Sequence, residues 1–377
     1  MIKMSKIGMS IISVISVISV TLVRSKLSIV CAGFIVGFLS LSSFAAETVL
    51  INGAGATFPY PLYAKWFSSY REVDKSVEFN YQSIGSGGGI RQFLAGTTDF
   101  GASDAPMKDD ELAQSKVPIL HIPATLGAVA VTFNLPGVKD SLNLTPEVLA
   151  KIFMGEIKKW DDEEILKLNP KVAMPKNQYI IVCYRSDGSG TTAVFTEYLE
   201  KVSPDWKKRI GSGKSVKWPA GLGGKGNEGV SSLVKQNPGS IGYVEMNYAF
   251  ENKFPVFAIK NAKGEFVLPS VKSVTKAAEA SLKVLPEDFR VSITEAAGSD
   301  VYPISAYTYL LIYQKMESHK GKKIVEFLRW AMGKGQTMAA SLNYAPLPNQ
   351  VVKRVLSKID SIALEGGSDK KEGHKLN

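Results

Sequence analysis

The sequence predicts an α/β chain with mostly parallel sheets, because a strand, a glycine-containing turn and an amphipathic helix follow one another three times. Residues 48–73 give the first unit: an apolar strand, the turn around Gly53 and Gly55, and a helix with Leu62, Trp66, Phe67 and Tyr70 at three-to-four spacing. Residues 77–96 give the second. Alternation at Val77, Phe79 and Tyr81 yields to Gly85-Ser86-Gly87-Gly88-Gly89, then Ile90, Phe93 and Leu94 share a helical face. Residues 178–202 give the third, with a strand over 179–184 and an apolar face of Val194, Phe195, Tyr198 and Leu199. Between the second and third lies DFGASDAPM, a turn carrying Asp104 and Pro106.

Two further runs organise the chain. Residues 123–137 read as a buried strand leaving one unit, and residues 301–313 as a strand returning to it. The expected division is an export segment over 1–45, one domain from 46–124 plus 301–377, and a second domain over 125–300 inserted in it. The terminal EGGSDKKEGHKLN is polar and reads as a loose tail.

The first 45 residues hold Lys3, Lys6, Arg24 and Lys26, no acid, and two apolar runs. The second run, Leu27 to Leu41, ends in Ser43-Phe44-Ala45, a small-x-small cleavage pattern, so the segment reads as a signal peptide. The earlier run, Met9 to Val23, reflects either an upstream start codon or a genuine second apolar segment. A lipoprotein site at Cys31 is disfavoured by Val30. Loss of the four basic residues lowers the net charge from +10 to +6, which suits an anionic ligand and is too diffuse for nucleic acid. Cys183 is then the sole cysteine, so no internal disulfide forms.

A helix N-terminus leaves N–H groups unpaired and carries about half a positive charge, which attracts anions. Three loops have that chemistry: Thr57 with Phe58, Ser86 with Gly87, and Ser189-Gly190-Thr191. Each alone is ordinary capping. Arg185 stands beside the third and can fork two donors onto an oxyanion, with Asp187 to hold the guanidinium or merely to pair with it at the surface. Asp104 is the odd residue. It is either a turn residue ahead of Pro106 or an acceptor for an anion that carries a proton, as phosphate does and sulfate at neutral pH does not.

Other motifs fail on context. GSGKS at 211–215 lacks the first glycine and the strand of a phosphate-binding P-loop, and GLGGKGNEG at 221–229 follows Trp218-Pro219 rather than a strand. The second is expected to lead into a helix over 227–236. Ser189 does not sit in a G-x-S-x-G elbow, and Arg185 occupies the place of an aspartyl nucleophile. With only His121, His319 and His374, a triad or histidine metal site is hard to assemble. His121 reads as a partly buried strand residue; Trp160, Trp218 and Trp330 read as packing.

Seven segments in order, GAGATFPYPLYAKW, GSGGGIRQF, TDFGASDAPM, GEIKKWDDEEILKLNP, YRSDGSGTTAVFTEYL, VKWPAGLGGKGNEGV and PGSIGYVE, resemble the exported phosphate-binding proteins of ABC-type phosphate importers. The resemblance runs from Asn52 to Pro348. It implies a two-lobed periplasmic-binding-protein fold of type II, two α/β lobes joined by a hinge near Pro123 and Tyr302, with one inorganic phosphate held in the cleft and delivered to an inner-membrane ABC permease. It further implies a periplasmic, monomeric binding protein, neither an enzyme nor dependent on metal or cofactor. Carried over by position, the phosphate ligands fall on Thr57, Phe58, Ser86, Asp104, Arg185, Ser189, Gly190 and Thr191, with Asp187 supporting the arginine. Phe58 would act through its backbone N–H. The alternatives are an exported phosphatase and a surface scaffold that keeps the same fold.

Overall fold

A computed structural model describes residues Thr48–Gly366, so the apolar export segment and the polar tail beyond Gly366 lie outside the described residues. The chain runs β1 (Val49–Gly55), α1 (Tyr60–Arg71), β2 (Val77–Ser83), α2 (Ser86–Leu94), β3 (Phe100–Ser103) and α3 (Asp109–Leu112). A long strand β4 (Ile119–Asn134) follows, then β5 (Leu142–Leu144), α4 (Pro146–Phe153), α5 (Glu163–Leu168), β6 (Ile181–Arg185), α6 (Gly190–Val202) and α7 (Pro204–Arg209). Next come β7 (Leu222–Gly224), α8 (Gly226–Gln236), β8 (Ser240–Glu245), α9 (Met246–Glu251), β9 (Phe257–Lys260), β10 (Phe266–Val267) and α10 (Val271–Ser281). The chain returns through β11 (Ser305–Tyr313), β12 (Lys315–Glu317), α11 (Ser318–Met332), α12 (Asn349–Asp360) and β13 (Ala363–Glu365).

All three strand–turn–helix units form where the alternation and the helical spacing put them. The third strand begins two residues late, at Ile181, with Tyr179 left exposed. The eight-stranded sheet has the order β2-β1-β3-β11-β4-β8-β6-β7. Its flanks are parallel, as βαβ crossovers require, but the three central pairings, β3 with β11, β11 with β4 and β4 with β8, are antiparallel. A small sheet β10-β9-β5 stands apart.

Strand β4 joins the two halves of the large sheet. Ile119–Ala128 pair with β11, and Val129–Asn134 pair with β8, so one continuous strand changes partner in mid-course. It starts four residues before Pro123, where the sequence expectation began it. Proline has no N–H for a ladder. The register slips there: Tyr309 faces Pro123 and Thr308 faces Thr125, leaving Ala124 as the extra residue of a bulge.

The core is aromatic around α1, where Tyr63 and Trp66 are wholly buried and Phe67 stacks on Phe79 with ring centroids 4.8 Å apart. Trp66, Trp160 and Trp206 each donate their indole N–H to a glycine carbonyl, so these rings are buried without losing a donor. Buried His121 accepts the Met107 N–H at Nε2, and burial lowers its pKa to about 4. Cys183 is free and buried, its thiol pushed up to about 12 by that burial. Among the described residues, no helix is long and apolar enough to cross a membrane, and no group of three or more His, Cys, Asp or Glu is placed to hold a metal.

Candidate functional site

Each of the three glycine-containing turns delivers a helix start to the same place. Thr57 and Phe58 lie between β1 and α1, Ser86 opens α2, and Ser189 caps α6 by accepting the Thr192 N–H at 3.0 Å. The N–H groups of Ser86, Gly190 and Thr191 are in first turns and have no intrahelical acceptor. Gly87 donates its N–H to the Gly188 carbonyl at 2.8 Å, which ties the second turn to the third. The turn needs glycine at Gly85, where φ is +83° and a Cβ would stand 2.7 Å from the Gly188 carbonyl oxygen.

Asp104 follows β3 and meets the α6 start. A Cβ added to Gly190 would lie 2.3 Å from Ser86 Oγ and 2.5 Å from Asp104 Oδ2. Ser86 Oγ accepts the Asp104 N–H at 3.2 Å and approaches Asp104 Oδ2 at 3.4 Å, while Thr308 Oγ1 donates to Asp104 Oδ1 at 3.0 Å. The antiparallel register of β11 with β3, with Leu310 opposite Ala102 and Tyr309 opposite Ser103, brings Thr308 level with Asp104. Asp104 is 3% exposed. Burial raises its pKa from 3.8 to about 7, and the Thr308 hydroxyl, the Arg185 charge and Ser86 restrain the rise only in part.

The opposite wall is cationic. Arg185 ends β6, 3% exposed, and its Nε and Nη2 donate to Asp187 Oδ1 and Oδ2 at 2.8 and 2.6 Å. Nη1 donates to Thr191 Oγ1 at 3.2 Å. Of five guanidinium N–H groups three are thus engaged, and one on each Nη remains for a ligand. Burial works to raise the Asp187 carboxyl, but the Arg185 guanidinium and the Gly226 N–H, 3.0 Å away, outweigh it and hold the pKa below the ordinary value. The sequence alternative of a surface ion pair does not hold, because the Arg185 side chain is 1% exposed and the Asp187 side chain 12%.

Of the nine residues anticipated from sequence, contacts bring together Thr57, Ser86, Asp104, Arg185, Asp187, Gly190 and Thr191, while Phe58 and Ser189 are the chain neighbours of Thr57 and Gly190. Sequence reasoning missed several that support them. Asn227 reaches both Thr57 and Thr191, Tyr243 accepts the Arg185 N–H, Tyr248 donates to the Thr57 carbonyl, and Tyr344 donates to the Phe58 carbonyl. Asn227 lies in the glycine loop set aside as a failed dinucleotide motif. Lys214, from the discarded GSGKS, pairs with Glu111 at 2.8 Å and accepts the Ser189 N–H on its carbonyl. Chemically, the arrangement offers hydroxyls, helix-start N–H groups and one guanidinium to an oxyanion, and sets a single carboxyl among them.

A family model described as a PBP superfamily domain matches residues 42–334. A phosphate-binding protein PstS of Haemophilus influenzae is 45% identical over 83% of this chain and 93% of its own. The chain belongs to the PstS family of phosphate-binding proteins. A PstS protein of Pasteurella multocida is 46% identical over 83% of this chain and 91% of its own, and one of Methanocaldococcus jannaschii 39% over 84% and 87%. Among solved structures, a high-affinity periplasmic phosphate-binding protein, PfluDING, bound with phosphate, has a TM-score of 0.65 and 21% identity, covering 82% of this chain and 93% of its own. A phosphate-binding protein of Stenotrophomonas maltophilia has a TM-score of 0.63 and 19% identity over 82% and 94%. At those identities the solved structures carry the two-lobed PstS fold alone; membership in the family rests on the PstS sequences.

Proposed function

We propose that this chain binds inorganic phosphate between its lobes and delivers it to an inner-membrane ABC permease. The carrying observation is the meeting of Arg185 and the α6 start with a buried Asp104 across the same small space. A carboxyl there is unfavourable beside an unprotonated oxyanion, but it accepts the O–H of a protonated phosphate. A site that requires a given hydrogen bond rejects an analogue lacking it by about 10⁴ to 10⁵. The names of the relatives, binding proteins rather than enzymes, agree with this reading.

The ligand set is Thr57, Ser86, Ser189 and Thr191 through hydroxyls, Phe58 and Gly190 through N–H groups, Arg185 through its two free N–H groups, and Asp104 as acceptor. Asp187 positions Arg185. The partner change of β4 at Ala128 and Val129, together with the start of β11 at Ser305, supports lobe limits within a few residues of 124/125 and 300/301. Release then follows from rotation about this crossover, the hinge class of motion. The export segment directs the protein, a monomer, to the periplasm.

Titrating phosphate into phosphate-depleted protein by calorimetry tests the reading, with tight one-to-one binding expected and no binding contradicting it. A chromogenic phosphomonoester distinguishes the phosphatase alternative, and no turnover is expected.

A further inference from the structure

We infer that Asn227 is a specificity-determining positioning residue that makes the hydroxyls of Thr57 and Thr191 donors only, and so directs the single proton of the bound phosphate to Asp104. The inference rests on the phosphate reading above and adds to it a residue with no direct contact to the ligand.

Asn227 is the second residue of α8 and is wholly buried. Its Oδ1 accepts the Glu245 N–H at 3.0 Å. A backbone N–H can only donate, so the oxygen of the amide must face Glu245 and the NH₂ group must face the other way. That NH₂ group donates to Thr57 Oγ1 at 2.7 Å and reaches Thr191 Oγ1 at 3.4 Å, while the Asn227 N–H adds a second donor to Thr57 Oγ1 at 3.2 Å. Thr191 Oγ1 takes its other donor from Arg185 Nη1, which also cannot accept.

A hydroxyl has two lone pairs and one proton. On both threonines the lone pairs are taken by groups that can only donate, and both side chains are buried, Thr57 at 2% and Thr191 at 0% exposure. What each has left is its proton. Two hydroxyls that would otherwise rotate freely between donating and accepting are thereby fixed as donors, along with the helix-start N–H groups and Arg185. A ligand O–H turned toward any of them would set donor against donor. Asp104 is the acceptor in this group, so the threonines, the helix-start N–H groups and Arg185 together turn the proton of a singly protonated phosphate toward it, while Ser86 and Ser189, each with one lone pair engaged by a backbone N–H, can adjust to either role. Asn227 sits on the far side of the threonines and acts through them, fixing polarity rather than charge.

The test is phosphate affinity in Asn227→Asp, measured by calorimetry. Asparagine and aspartate have nearly the same shape, and Oδ1 still accepts from Glu245, but the NH₂ donors become acceptors. Thr57 then turns its proton toward residue 227 and its lone pair toward the ligand. Affinity is expected to fall by about 100-fold or more, a loss to which repulsion by the new carboxylate also contributes, and the cycle of variants separates the hydroxyl's part from that charge. A second measurement keeps the idea testable should that variant fold poorly: a cycle of Asn227→Ala, Thr57→Val and the double variant. If Asn227 acts through the Thr57 proton, removal of the hydroxyl leaves it less to do, and the double variant binds phosphate about 10-fold or more tighter than the product of the single losses. Wild-type affinity in Asn227→Asp, or strictly additive losses in the cycle, would overturn the proposal while leaving phosphate binding intact. Absence of binding by the wild-type chain would instead remove the phosphate reading itself.

Discussion

Asp104 and Asp187 face one another across the same site, both mostly buried, and their surroundings push them in opposite directions. Asp187 meets a guanidinium through two short hydrogen bonds and accepts a backbone N–H, so it stays ionised. Asp104 has a hydroxyl on each oxygen and a more remote share of the Arg185 charge, so burial prevails and its pKa rises to about 7. The difference teaches that the two walls do different work. The Arg185 wall supplies attraction for any oxyanion, and the Asp104 wall decides which oxyanion remains.

The largest effect is expected from breaking the attractive wall. Arg185→Ala removes the one guanidinium of the site and leaves Asp187 buried without its cation, so phosphate affinity should fall by about 10³-fold or more in calorimetry, with some loss of thermal stability. Arg185→Lys should retain part of the affinity, since it keeps the charge but not the fork that engages Asp187 and Thr191 together.

Breaking the other wall should produce the opposite balance. Asp104→Asn takes away an acidic group whose ionisation the fold opposes, so the ligand-free protein should gain on the order of 3 kcal/mol at pH 8 by denaturant titration. The sign follows from linkage. In the folded chain Asp104 holds its proton up to about 7, whereas in the unfolded chain it loses it near 3.8. Wild-type stability from this group therefore falls as pH rises from about 4 to 7, and the variant should lack that slope. Asp187, lowered on folding, contributes in the reverse sense: its stabilisation is present above the ordinary carboxylate range and is lost as pH falls through its lowered folded value.

Gly190→Ala sharpens the comparison by wedging the walls apart. The new methyl would stand 2.3 Å from Ser86 Oγ and 2.5 Å from Asp104 Oδ2, so closure about the ligand is hindered. A loss of about 10- to 100-fold in affinity is expected in calorimetry, with smaller damage to stability. The smallest effect belongs to the rim. Lys214→Ala breaks the ion pair with Glu111, whose side chains are 15% and 24% exposed, and should raise the phosphate dissociation rate by only about 2- to 5-fold in stopped flow, less at high salt.

The attractive wall was largely legible in the sequence because its parts are contiguous: Arg185, Asp187 and Ser189 to Thr191 fall within seven residues and open a helix. Asp104 was legible as an oddity only, since composition made it a turn residue ahead of Pro106. Its shifted acidity comes from burial by elements distant in sequence, restrained in part by Thr308 some two hundred residues later, and no local pattern announces either. Asn227 stayed hidden for a related reason. Its glycine loop was weighed against dinucleotide spacing, while its actual partners are Thr57 in the β1–α1 turn, Thr191 in α6 and Glu245 in β8. The βα units were readable from periodicity, but the antiparallel centre of the sheet was not, because the pairing of β4 with β11 and β8 is a tertiary choice.

The division of labour between the walls is tested most directly by the ratio of sulfate to phosphate dissociation constants, measured by calorimetry at pH 8 in wild type and in Asp104→Asn. The wild-type ratio should be about 10⁴ or greater, and the asparagine variant should reduce it by at least about 100-fold, chiefly by admitting sulfate. A wild-type ratio near one, or a ratio unchanged by the substitution, would contradict the assignment of selectivity to Asp104.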